Sequence, residues 1–333
     1  MKLSWESLTL NLRSPFRVAH GTSLQRFNVL VHLDEGLGEA AAVPYYGETA
    51  EGIVAYLRTV ADLGTDPWDL EGILSRRPPG SLAARAAIDG ALHDLWGRRL
   101  GHPLYRLWGL NPDAIPDTSF TIGLAEPGVM AAQARESGLP ILKVKLGGDR
   151  DEEVVSAVRE ATAARLTVDA NGGWSRDRAL EILPLLAEAR VELVEQPLAA
   201  TDPEGYFWLR AKMRAQGLRV PIFADESVRT SRDLPALAGA IDGVVVKTMK
   251  SGGLQEAIRM IHTARALGLG VLLSCMVESS VGVTAAAHLG PLCDYTDLDG
   301  PLLVSNDPYS GLSYNGARLL LPRTPGAGLS LKE

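Results

Sequence analysis

Apolar positions change their spacing twice along this chain. Up to about residue 60 they fall in short runs broken by turns: Leu3 to Leu12, Phe27 to Leu33, the turn Asp34-Glu35-Gly36, then Gly38 to Val43. That pattern predicts an antiparallel sheet. Residues 81–100, SLAARAAIDGALHDLWGRRL, carry apolar positions at helical spacing behind a serine cap, with a Pro-rich stretch before them and Asn111-Pro112 after. The first module, residues 1–115, is therefore α+β. From there on, short apolar runs alternate with amphipathic segments such as DEEVVSAVREATAA, SRDRALEILPLLAEA and GGLQEAIRMIHTARALG. Parallel strands joined by crossover helices read this way. The runs are Thr118 to Leu124, Ile141 to Leu146, Leu166 to Ala170, Val191 to Gln196, Pro221 to Asp225, Val244 to Thr248, Val271 to Met276 and Tyr295 to Leu298. Eight of them across residues 116–314, with no GxGxxG, predict an α/β fold closed into a TIM-like barrel rather than an open doubly wound sheet. The helix after the final strand is weak, so one barrel unit is expected to be incomplete.

Composition narrows the function classes. A chain of 333 residues can hold one large core plus a small partner module. Its formal charge of −7 argues against nucleic-acid binding, which needs concentrated positive charge. The amino terminus has no apolar run behind a positive start, and no stretch of about 18 apolar residues occurs, so neither a leader nor a membrane span is expected. Cys275 and Cys293 lack any CxxC or Cys/His metal spacing and read as reduced thiols of a cytoplasmic protein. The expected partner is a small molecule, and the expected assembly a homo-oligomer.

Charges gather at the carboxyl ends of the barrel runs: Lys143 and Lys145, Asp169, Glu195, Asp225 and Glu226, Lys247, Glu278, Asp297 and Asp299. Active sites of barrels are built at that end. Strand alternation puts Leu142, Val144 and Leu146 on one face and both lysines on the other, which points the lysines inward if the apolar face meets the helices. An edge strand blunted by lysines is the alternative. Asp169, Glu195 and Asp225 come from three successive strands spaced about 4.8 Å apart, where three carboxylates repel one another without a counter-ion. All-oxygen donors favour Mg²⁺ or Mn²⁺ over Zn²⁺; salt bridges to neighbouring strands are the other solution. Lys145 and Lys247 lie four strands apart in a ring of eight, facing each other across the mouth. Such a pair suits removal of a carbon-bound proton from one side and its return from the other, with Mg²⁺ and Lys143 stabilising the enolate formed from a carboxylate. Asn171 and Gln196 are expected to orient the metal ligands.

The strings LKVKLG, VDANGGW, VEQPL, ADES and KTMKSGG, in this order, resemble the muconate-lactonising subgroup of the enolase superfamily. The resemblance implies a (β/α)7β barrel with an N-terminal α+β capping domain completed by about residues 315–333. It also implies one Mg²⁺ per subunit on Asp169, Glu195 and Asp225, with Lys145 and Lys247 as paired acid/base lysines. By the same resemblance Lys247, not Lys250, holds the family's lysine position, and Lys250 is taken as a loop residue. DLDGP near the end resembles the DxD motif of dipeptide epimerases of the L-Ala-D/L-Glu type. Two carboxylates, Asp297 and Asp299, on one face of a strand end can bind the free ammonium of a dipeptide; a loop pair capping local backbone is the alternative. The implied activity is epimerisation at the α-carbon of a dipeptide's carboxy-terminal residue. N-acylamino-acid racemase, o-succinylbenzoate synthase and muconate cycloisomerase are the alternatives within the subgroup. Side-chain preference is expected from loops near Arg13 to Gly21 and Val43 to Glu48, through Arg17, His20 and Tyr46, with Met276 shaping the pocket on the barrel side. Tyr45 and Tyr46 either line that pocket or pack a domain interface.

Overall fold

In the computed structural model, which describes residues 1–18, 21–60 and 62–332, β1 (Leu3–Val18), β2 (Gly21–Leu33) and β3 (Gly36–Ala40) form an antiparallel sheet in that order. The first two strands outrun their apolar stretches. Pairing shifts between Asn11 and Phe16 and then resumes with Phe16 opposite Ser23 and Arg17 opposite Thr22, so residues expected as a loop form hairpin arms. Val29, Val31 and Leu33 of β2 pack against α1 (Ala50–Thr59), α2 (Leu70–Arg76) and α3 (Leu82–Leu100). Ser81 starts α3, its Oγ accepting from Ala84 N–H at 3.0 Å. A Cβ at Gly36 or Gly38 would stand 2.1 or 2.0 Å from a carbonyl oxygen of α3, so only glycine lets this helix lie on β3.

Eight parallel strands follow: β4 (Phe120–Ile122), β5 (Ile141–Lys145), β6 (Arg165–Asp169), β7 (Val191–Glu195), β8 (Ile222–Ala224), β9 (Gly243–Val246), β10 (Gly270–Ser274) and β11 (Tyr295–Asp297), each paired with its sequence neighbour. The ring closes through a bridge from Thr118 to Thr296 and a 3.0 Å hydrogen bond from Ser119 N–H to the Thr296 carbonyl. A helix follows each of the first seven strands, only the Leu234–Leu237 turn after β8, while β11 leads into the single turn Gly300–Leu303. The architecture is a (β/α)7β barrel with an N-terminal capping module.

Alternation along the strands separates core from site. Leu142, Val144, Leu166 and Val168 face the helices, while Leu193, Phe223, Val245 and Leu272 fill the barrel floor. The floor is tight: a Cβ at Gly243 would lie 2.3 Å from the Phe223 ring. Two buried carboxylates tie the capping module to the barrel. Glu39 of β3 accepts from Ser279 Oγ at 2.6 Å and Gly282 N–H at 2.9 Å, where the helix Ser280–Ala287 begins. Asp89 of α3 accepts from Leu254 N–H at 3.0 Å, at the start of Leu254–Ala266. Both sit where a helix dipole favours negative charge. Among the described residues no helix is long and apolar enough to cross a membrane.

Candidate active site

Strand register builds the site. Lys145 stands opposite Asp169 across β5 and β6, and Asp169 opposite Glu195 across β6 and β7. Glu195 then pairs with Phe223, so Asp225, two residues further along, rises just past the end of β8. All three carboxylates are fully buried. Asn171 and Gln196 turn the chain beyond β6 and β7 with φ of 45° and 41°. Gln196 Oε1 accepts from Asp225 N–H at 2.8 Å, which fixes the loop carrying that carboxylate.

Four lysines neutralise this acidic row. Lys143 Nζ lies 2.8 Å from Glu195, 2.9 Å from Asp297 and 3.2 Å from Asp169. Lys145 Nζ donates to Asp169 Oδ2 at 2.6 Å and Asn171 Oδ1 at 3.1 Å. At the other end of the row Lys247 Nζ donates to Asp225 Oδ2 at 2.5 Å and stands 3.8 Å from Glu195. Lys250 reaches the second Asp225 oxygen and, at 2.6 Å, the Asp225 carbonyl. Lys250 is therefore not a loop residue: it lies in the helical turn Thr248–Ser251 with its side chain fully buried. Nothing in the sequence marks it, because its burial comes from the capping helix α3 packing on that turn.

Burial would raise all three acids, but at Asp169 the ammonium groups of Lys145 and Lys143 outweigh it and hold the carboxyl below its usual range. Lys247 and Lys250 do the same for Asp225. Glu195 goes the other way, raised by burial and by Asp169 beside it. Lys143 and Lys247 resist the downward pull of burial because the facing carboxylates raise them.

At β11, Asp297 accepts from Ser119 Oγ at 2.7 Å and Ser274 Oγ at 2.9 Å, and Asp299 from Thr121 N–H at 2.7 Å. Burial, then the neighbouring Asp297, pushes Asp299 up to about 7. Lys143, Lys145, Lys247, Asp297, Asp299 and Met276 all line one cavity of about 260 Å³, which the capping module roofs with Tyr45 and Tyr46. Tyr46 packs under the Arg229 guanidinium, 5.4 Å from its ring centre. Arg17 is exposed and is not part of the cavity wall; His20 lies outside the described residues. Arg26 of β2, which the sequence pattern did not single out, lines the cavity instead. Alternation along β2 could have found it, since it shares a face with the buried Asn28 and Leu30.

Among the described residues no three acid, histidine or cysteine side chains converge on a common point, since lysines stand between the carboxylates. The donor chemistry nonetheless fits a hard divalent cation: Asp169, Glu195 and Asp225 offer oxygen only, and buried Glu195 Oε1 has no hydrogen bond, with Lys247 Nζ no nearer than 3.8 Å.

Comparison with known proteins agrees with this architecture. Residues 5–109 match the N-terminal domain of mandelate racemase / muconate lactonizing enzyme, and residues 129–333 match the enolase C-terminal domain-like family. An L-Ala-D/L-Glu epimerase of Bacteroides thetaiotaomicron is 40% identical over 99% of this chain and 88% of its own length. A hydrophobic dipeptide epimerase of Roseobacter litoralis is 37% identical over 98% of both chains. The dipeptide epimerase of Cytophaga hutchinsonii, solved with Mg and D-Ala-L-Val, superimposes with a TM-score of 0.93 at 30% identity, over 99% of this chain and 95% of that one.

Proposed function

This chain belongs to the mandelate racemase and muconate lactonizing enzyme family of the enolase superfamily, and from that footing we propose that it is a Mg²⁺-dependent dipeptide epimerase inverting the α-carbon of the carboxy-terminal residue. It is an enzyme of the isomerase class. The observation that carries the reading is the placement of Lys145 and Lys247: strands four apart, one shared cavity, and contacts with opposite ends of the Asp169–Glu195–Asp225 row.

Each residue has a task that its position allows. Asp169, Glu195 and Asp225 would hold Mg²⁺, which when bound supplies positive charge beside the substrate carboxylate. Lys143, buried among carboxylates, adds a second fixed positive charge at the same end. One of Lys145 and Lys247, as the free amine, takes the α-proton from its side; the other, as ammonium, delivers a proton to the opposite face of the planar enolate. Asp297 and Asp299 receive the dipeptide's α-ammonium. An acid poised near 7, such as Asp299, gains its full charge when that cation arrives.

The pair at β11 also separates this reading from racemisation of N-acyl amino acids, whose acylated nitrogen brings no charge for it. Incubation with dipeptides in D₂O tests the point. Deuterium should enter the α-carbon of the carboxy-terminal residue together with inversion. Exchange confined to N-acyl amino acids, or none in any of these compounds, would overturn it.

A further inference from the structure

A polar thread leads from Lys145 away from the row of acids. Lys145 Nζ donates to Asn171 Oδ1 at 3.1 Å, and Asn171 Nδ2 donates onward to Glu226 Oε1 at 3.2 Å. The backbone of Asn171 is pinned by its left-handed turn and by its N–H donating to Asp169 Oδ1 at 2.8 Å. That fixes where the carboxamide starts but not which end faces the lysine. Turned by half a rotation, it would present N–H groups to the hydrogens of Nζ. Two carboxylate oxygens accept from Nδ2 and select the orientation that leaves Oδ1 toward Lys145, Asp169 Oδ2 at a long 3.4 Å and Glu226 Oε1 at 3.2 Å. The shorter bond is that of Glu226. Its side chain is buried, it lines the cavity, and its other oxygen has no hydrogen-bond partner. Burial of an acid making so few bonds is costly, and the Asn171 contact is the side-chain hydrogen bond set against that cost, with the Lys247 ammonium and the Glu226 backbone N–H also favouring the charged form. Among the described residues no such hydrogen-bonded thread reaches Lys247, whose Nζ contacts Asp225 and, at longer range, Glu195, and which feels Glu226 as a more distant charge.

We propose that Glu226 is a positioning residue for Lys145: through Asn171 it aims that amine at one face of the substrate α-carbon, whereas on Lys247 it acts only through its charge. The inference rests on the two-lysine reading above.

Its signature is one-sided. Each epimer of the substrate is incubated separately in D₂O, and the initial rate of α-deuterium entry with retained configuration is measured for the parent, Glu226→Leu, Glu226→Gln and Asn171→Gly. The Lys145→Ala and Lys247→Ala proteins identify which epimer each lysine serves. Glu226→Leu should slow exchange of the Lys145-served epimer by about 10- to 100-fold, the scale of a misaimed catalytic group, and leave the other within about threefold. Glu226→Gln keeps a carbonyl acceptor and should recover most of the loss, which separates the hydrogen bond from the charge. Asn171→Gly tolerates the left-handed backbone, removes the Lys145 contact itself and should reproduce the one-sided loss; if the leucine variant does not fold, Glu226→Ala takes its place in deciding the matter. Mg²⁺ affinity by calorimetry should stay at the parent value in the two Glu226 variants; Asn171, which donates to Asp169, is not held to this. Equal slowing of both epimers, or a glutamine variant as impaired as the leucine one, overturns the inference. Failure of the parent itself to exchange any α-proton would instead overturn the epimerase reading.

Discussion

At Asp299 two influences act together, burial and the adjacent Asp297, and its bonding is to one neutral residue, Thr121, whose backbone N–H donates at 2.7 Å. Its partner Asp297 is already held by two serine hydroxyls and Lys143. Of the pair, Asp299 thus has more to gain from a substrate cation. Asp299→Asn should raise KM for dipeptides about tenfold or more, the loss of one charge-assisted hydrogen bond, with a smaller change in kcat because the contact is remote from the α-carbon. Steady-state kinetics check this, and an unchanged KM would contradict it. At this scale strand-end position and alternation made the acids and Lys143, Lys145 and Lys247 readable from sequence. Lys250, Ser119 and Ser274 were not readable, since each acquires its role only when distant segments pack together. Arg26 was readable only by extending the alternation of β2 back past its apolar run.

Among the elements, the helix Ser280–Ala287 carries a titratable joint at its end. The His288 ring accepts from Tyr105 N–H at 3.2 Å through Nδ1 and donates through Nε2 to the Ala327 carbonyl at 3.1 Å. Burial lowers its pKa to about 4 from the ordinary 6.5, against a smaller upward pull from the Ala327 bond. Between those values the unfolded chain binds a proton that the folded chain does not, so stability falls as pH drops from 6.5 toward 4. From pH 6.5 to 5.0 the parent should lose about 2 kcal/mol more than His288→Gln, measured by urea unfolding. Equal losses would show that His288 is not the joint. Element boundaries were legible to within a few residues in the barrel, where apolar strands are bracketed by polar caps. The β1–β2 hairpin was not, because Arg13-Ser14-Pro15 reads as a loop and falls at the register shift, beyond which pairing resumes.

For the whole molecule, the closed ring was visible as eight apolar runs, while the way the capping module docks was not. Glu39 meets Ser279 240 residues later, and Asp89 meets Leu254 165 residues later, contacts that leave no local pattern. Docking matters to function because Met276 and Val277, beside Glu39's partner Ser279, share the cavity wall with the capping strands and tyrosines. Barrel and cap together enclose a cavity lined by Lys145 and Lys247, and the proposed reaction needs one of these amines on either side of the substrate. The most direct measurement is therefore deuterium exchange into each epimer by the Lys145→Ala and Lys247→Ala proteins. Neither should epimerise, each should still exchange one epimer with retained configuration, and the two should choose opposite epimers. If both variants exchanged the same epimer, or either kept parental epimerisation, the two-sided proton transfer would be wrong.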